Sequence, residues 1–111
     1  MASGIKGSSK PSGGTPTYAT TALVTATATT TLILSICNQS ASADTVKIAV
    51  IPASVVATSG AIADQYYIEY DFSLAANTAF ERTAITLESG ARVIVGSGAG
   101  SCSFVAYGLE S

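Results

Sequence analysis

The sequence predicts an all-β chain: a single antiparallel β-sandwich, jelly-roll or immunoglobulin-like, with seven or eight strands and an extended N-terminal arm. Three observations carry this. Ala, Val, Ile and Thr dominate the 111 residues, while Leu, Glu, Lys and Gln are scarce, and β-branched side chains fit a pleated surface. Apolar residues alternate at period two in several segments. Turn signals recur about every ten residues, with no helical i, i+3, i+4 pattern between them.

Residues 1–16 stand apart. They hold four glycines, two prolines and many serines, with little to bury, the composition of a flexible arm. Ordering such a segment costs about 1–2 kcal/mol per residue. The expectation is therefore an arm held by neighbouring chains through Ile5, Lys6, Lys10, Pro11 and Pro16, followed by a β-sandwich domain over residues 17–111.

The strands then follow in order. Residues 18–26 and 29–37 come first, with 38–44 as a polar loop. Residues 45–51 place Val46, Ile48 and Val50 on one face, and Pro52 ends the strand because it has no ladder donor. Residues 53–64 form a longer loop of small residues, with room for a weak strand at 54–57. In 65–74, Tyr66, Ile68, Tyr70 and Phe72 are expected to face the core and Tyr67, Glu69, Asp71 and Ser73 to face outward. A turn centred on Asn77 leads to 79–87, and Glu88-Ser89-Gly90 turns the chain again. Residues 92–96 and 102–109 read as a final hairpin joined by the glycine-rich 97–101.

Charged residues are only 11% of the chain and the formal net charge is −2, against about a quarter charged in ordinary globular chains. Two readings stay open: a surface covered by neighbouring subunits, or a neutral one of Thr and Ser. No basic cluster offers a footprint for nucleic acid, and no apolar run approaches the ~20 residues of a membrane-spanning helix. Lys6 and Lys10 have no apolar stretch directly behind them, so no signal peptide is expected.

Candidates for chemistry are few. Histidine is absent, which removes the commonest general base. Glu69 and Asp71, two apart on one strand, project together and would suit a carboxylate dyad or a calcium ion. The simpler reading is a solvated face whose carboxylates pair with Arg82 or Arg92. Gly96-Ser97-Gly98-Ala99-Gly100 lacks the Lys-Ser/Thr and the helix that a phosphate loop needs. Cys37 and Cys102 read as free buried thiols or as a disulfide, and two cysteines without histidine do not make a zinc site. No enzyme activity, metal or cofactor is expected.

The runs Tyr67-Ile68-Glu69-Tyr70-Asp71, Leu74-Ala75-Ala76-Asn77 and Phe80-Glu81-Arg82-Thr83 resemble a group of small virion proteins of tailed bacteriophages, including those of cyanobacteria. Ser35-Ile36-Cys37-Asn38 and Ala106-Tyr107-Gly108-Leu109-Glu110 add to the resemblance. It spans about residues 19–110 and contains no catalytic signature; the longer 53–64 loop departs from it. In this pattern Arg82 pairs with Glu69 or Asp71 on the opposing strand and sets register. The resemblance implies a capsid decoration or cement protein. It would be made in the host cytoplasm, sit on the outer surface of the particle, and bind the major capsid protein or other virion proteins. Self-association, for example as a trimer, is allowed. The alternatives are a tail, neck or fibre-attachment protein, and a host-glycan-binding module using Tyr67 and the 53–64 loop.

Overall fold

The structure, a computed structural model, describes residues 3–110. Met1 and Ala2 of the expected arm and Ser111 of the expected sandwich lie outside the described residues. The described residues form eight strands: β1 (Ser3–Ser9), β2 (Val24–Thr25), β3 (Thr30–Asn38), β4 (Asp44–Ile51), β5 (Tyr67–Leu74), β6 (Ala79–Leu87), β7 (Arg92–Ser97) and β8 (Cys102–Glu110). A single 3-10 turn, Asp64–Tyr66, precedes β5. All strand pairs are antiparallel, in two four-stranded sheets of order β1-β8-β3-β6 and β2-β7-β4-β5. This is the strand order of a jelly roll. Of the connections, only β4–β5 stays within one sheet.

That topology corrects two expectations. Residues 92–96 and 102–109 are not a hairpin, because β7 and β8 belong to opposite sheets and the glycine-rich segment carries the chain between them. Likewise β5 and β6 are not ladder neighbours; each is the outer strand of a different sheet, joined through the turn at Asn77, whose φ is 55°. Hydrophobic period alone reports which face of a strand is buried, and says nothing of which sheet a strand joins.

The core lies between the sheets. β3 contributes Leu32, Leu34 and Ile36, β4 Val46 and Ile48, β7 Val93 and Val95, β8 Phe104 and Ala106, all buried. The β4 alternation is as expected. A second cluster lies on the far side of the β2-β7-β4-β5 sheet, where Ala49, Ile51, Ile62 and Ile94 are covered by Tyr18, Val55, Tyr66 and Tyr67. The 53–64 loop thus lays side chains over the back of that sheet. This is why Val93-Ile94-Val95 is an unbroken apolar run: β7 is buried on both faces.

The expected arm is the main departure. Ser3–Ser9 is the edge strand β1, paired with β8 from Ser3↔Leu109 to Ser9↔Phe104. Pro16 is buried, and a Cβ at Gly96 would come within 2.7 Å of its Cδ. Gly14 donates to the Ser97 carbonyl at 3.0 Å. The leader is therefore held by its own chain, and the boundary expected at residue 16 separates no free arm from the sandwich. Composition misleads here because an edge strand needs only a backbone ladder on one side, and glycine and serine supply that without burying side chains.

Gly108 marks the closest approach within a sheet. A Cβ there would lie 1.9 Å from the Thr31 carbonyl oxygen, which belongs to the paired strand β3. Gly108→Ala is expected to lower unfolding stability by about 3 kcal/mol, as overpacking against backbone does; chemical denaturation measures it.

Candidate functional site

β5 carries the residues singled out for chemistry, and two irregularities in its pairing with β4 decide where they point. Two β5 residues, Tyr70 and Asp71, stand against Lys47 alone, and Ile68 is extra between Tyr67 and Glu69. Asp71 takes φ 54°. Each extra residue resets the alternation. Ile68 therefore packs on the core as expected, while Tyr66 and Tyr67 join the outer cluster and Tyr70 stands 60% exposed. Phe72 lies opposite Val46 and meets Phe80 of the other sheet at 4.6 Å between ring centroids.

Glu69 and Asp71 are accordingly separated. Glu69 pairs with Arg82 at 3.8 Å, across the gap between the two sheets rather than along a ladder. With Phe72–Phe80 it closes that side of the sandwich. Asp71 pairs instead with Lys47, whose ammonium also lies 4.8 Å from the centre of the Tyr70 ring. The two carboxylates do not converge on a shared ligand, and each has a cation of its own. Among the described residues no group of three or more His, Cys, Asp or Glu gathers to hold a metal ion.

Of the residues expected to bind a partner through the arm, Ile5 is 75% exposed on β1 and Lys10 is exposed just after it. Lys6 lies 3.6 Å from Glu110. Pro11 is half-buried and Pro16 is buried against Gly96. Cys102 is a free buried thiol, as expected, but Cys37 is free and exposed. Cys37 sits on the outward side of β3, between the inward Ile36 and Asn38.

The tightest polar cluster is one that sequence reasoning passed over. Asp44 opens β4 and is buried, yet it makes none of the ion pairs found among the described residues. Oδ1 accepts the amides of Thr45 and Ala99, both at 2.8 Å, and Oδ2 accepts the Ser101 amide at 3.3 Å. The Ser101 hydroxyl lies 2.8 Å from Asp44 Oδ2 and 3.0 Å from Asn38 Oδ1. It has one hydrogen, which goes to the charged acceptor. Asn38, also buried, donates from Nδ2 to the carbonyls of Ser42 and Leu74, both at 3.0 Å. Together the two side chains tie the end of β3, the start of β4, the end of β5 and the glycine-rich crossover.

Burial pushes the Asp44 carboxyl up, but the hydrogen bonds from Ala99, Ser101 and Thr45 outweigh it and hold the pKa at about 2. Burial, then the Asp44 charge, pushes the adjacent Cys102 thiol up to about 11. A carboxylate of pKa about 2 is a poor general base, and a thiol of pKa about 11 a poor nucleophile near neutrality. The cluster caps a backbone crossover. The only legible signal was an acidic residue at the mouth of a strand followed some fifty positions later by a glycine-rich loop, a pattern too common to single out.

A second polar surface surrounds Tyr70. Tyr67 and Tyr70 stack edge-to-face with centroids 5.0 Å apart, and with Asp64 they line a shallow depression of about 320 Å³. Burial raises the Tyr67 pKa against the opposing pull of Lys47. On the other sheet, the Glu81 carboxylate accepts from Tyr107 at 2.7 Å, which raises that hydroxyl's pKa. Compared with known proteins, the chain matches no family model, no curated protein and no solved structure.

Because Asp44 titrates lower in the folded chain than its ordinary 3.8, its contribution is complete above about pH 5 and is lost as pH falls through about 4 towards 2. The depression of nearly two units corresponds to about 2 kcal/mol. Asp44→Asn is expected to cost about 2–3 kcal/mol at pH 7. The gap between parent and variant is expected to narrow by about 2 kcal/mol by pH 2, as read by urea unfolding across that range.

Proposed function

We propose that this chain is a structural protein of a phage virion, carried on the outer surface of the capsid shell as a decoration or cement subunit bound to the major capsid protein. The observation that carries the reading is the outward face of the β1-β8-β3-β6 sheet. Ile5, Ile33, Val105, Tyr107 and Leu109 lie there in adjacent register positions, with Thr31, Ser35 and Ser103 between them. Along the outward positions of β3, β6 and β8 the one charged side chain is Glu81, whose carboxylate is engaged by Tyr107. Charge depletion with aromatic and aliphatic residues is the composition of an interface core, and an uncovered apolar patch of this kind marks a contact surface.

The resemblance of the β5–β6 segment to virion proteins supplies the kind of partner. Jelly rolls occur in viral capsids and in lectins alike, so the architecture accommodates this reading without choosing it. The free thiols of Cys37 and Cys102 accord with synthesis in a reducing host cytoplasm. A shell subunit binds many equivalent sites, each a modest interface of about 800 Å² per partner.

A second reading, a host-glycan-binding module, is favoured by the depression at Asp64, Tyr67 and Tyr70. Exposed tyrosine rings take the apolar faces of sugars, and a carboxylate accepts from their hydroxyls. Tyr67→Ala with Tyr70→Ala would abolish glycan-array binding if this reading held. Silence of the parent chain across the array removes it.

Locating the chain in a whole-particle density map tests the main proposal. Hundreds of copies on the outer shell are expected. About six to a few dozen would move the chain to the neck or fibres, and its absence from the particle would end the virion reading. Val105→Glu, on the outward face, is expected to lower shell occupancy at least tenfold, about 1.4 kcal/mol. Its melting temperature is expected to stay near that of the parent, as calorimetry would show.

A further inference from the structure

We propose that the first strand is exchangeable: the edge of β8 accepts β1 from a second copy of this chain, so that copies are joined by swapped β1 strands. This concerns contacts between copies and stands independently of the virion reading.

Three observations carry it. First, β1 contributes no residue to either buried cluster; every one of its side chains is exposed or half-buried. It is held by its ladder to β8 and by contacts at Lys6 and Gly7. A strand that buries no core residue opens at a small fraction of the global unfolding cost.

Second, a bare β8 would be a liability. It is nine residues long and carries Val105, Tyr107 and Leu109 outward. An exposed apolar edge of that length pairs with whatever strand is offered. The register on β8 favours one occupant. A Cβ at Gly7 would lie 2.0 Å from the Leu23 carbonyl oxygen, so the strand must have glycine there. The residue before it, Lys6, lies 3.6 Å from Glu110, and the pairing shifts between Ile5 and Gly7. A second copy of β1 supplies the glycine, the Lys6 contact and the matching register together, and a foreign strand does so only by coincidence.

Third, the hinge lies in the right place. Beyond β1, residues 10–12 form no strand pairing. From Gly13 onward the leader is docked again: Gly13 bridges Ser97, Gly14 donates to the Ser97 carbonyl, and Pro16 is buried. The docked part stays with its own body while Ser3–Ser9 leaves. Pro11 fixes its own φ and biases Lys10 towards an extended backbone, which opposes a tight return. Exchange then replaces each contact of β1 with the same contact between copies, at the expense of the hinge alone.

The test uses mixed full-length chains in a Cys37→Ser background, which removes the exposed thiol. One copy carries Ser8→Cys and the other Val105→Cys, positions directly opposite in the ladder. Neither chain can close this bond within itself. After joint refolding from denaturant at high concentration and mild oxidation, exchange predicts a disulfide-linked heterodimer. Its yield should be at least tenfold above that of the control mixture of Ser8→Cys with Thr86→Cys, on the far edge strand. The pair Ile5→Cys and Tyr107→Cys repeats the test at a second register position and guards against a single misfolded variant. Heterodimer no more abundant than the control at both positions overturns the proposal.

Discussion

The jelly roll depends on how the chain leaves one sheet and enters the other. At each crossover the backbone departs from a ladder, and its amides and carbonyls need new partners while still buried. At one end of this sandwich Asp44 and Asn38 supply them. Asp44 accepts from the crossover between β7 and β8, and Asn38 donates to carbonyls at Ser42 and Leu74. A carboxylate suits the first task because several amides point at one place. A side-chain amide suits the second, where donor and acceptor are needed together. Without them the glycine-rich segment 97–101 would be a floppy link; with them it is gripped from β3, β4 and the leader.

The same end explains the glycines. Gly13 and Gly100 approach backbone to backbone, and a Cβ at Gly100 would lie 2.7 Å from the Gly13 nitrogen. Leader and crossover thus interlock because neither carries side chains at the contact. Two segments whose composition reads as flexible order each other through this fit.

The flank of the sandwich along β5 and β6 is closed by different means. The outer strands β5 and β6 belong to separate sheets, and Phe72–Phe80 and Glu69–Arg82 span the gap between them. An ion pair this exposed adds little stability. Its value lies in orientation, since both partners face inward at positions opposite Ile48 and Leu34. The irregular pairing of β5 that turns Glu69 inward also turns Tyr70 and Asp71 out towards Lys47, so closure of the core and the aromatic surface arise from one deviation in one strand.

Several of these features were legible in the residues. Val46 and Ile48 alternate into the core, Asn77 makes its turn, and β-branched composition with regular turn signals gave the sandwich; Arg82 and Glu69 meet between the two sheets, not across the ladder that the resemblance implied. The alternation of β5 was not legible, because extra residues in a ladder leave no mark on a single strand's pattern. Nor was β1, because an edge strand buries no side chain and so shows no period. The Asp44 cluster was hidden for a related reason: its partners are backbone amides some fifty residues away, and amides have no sequence signature. The sequence by itself determined what could be buried and where the chain had to turn. Only the tertiary structure decided which strands became neighbours, since pairing between sheets rests on long-range backbone geometry that local side-chain chemistry does not encode.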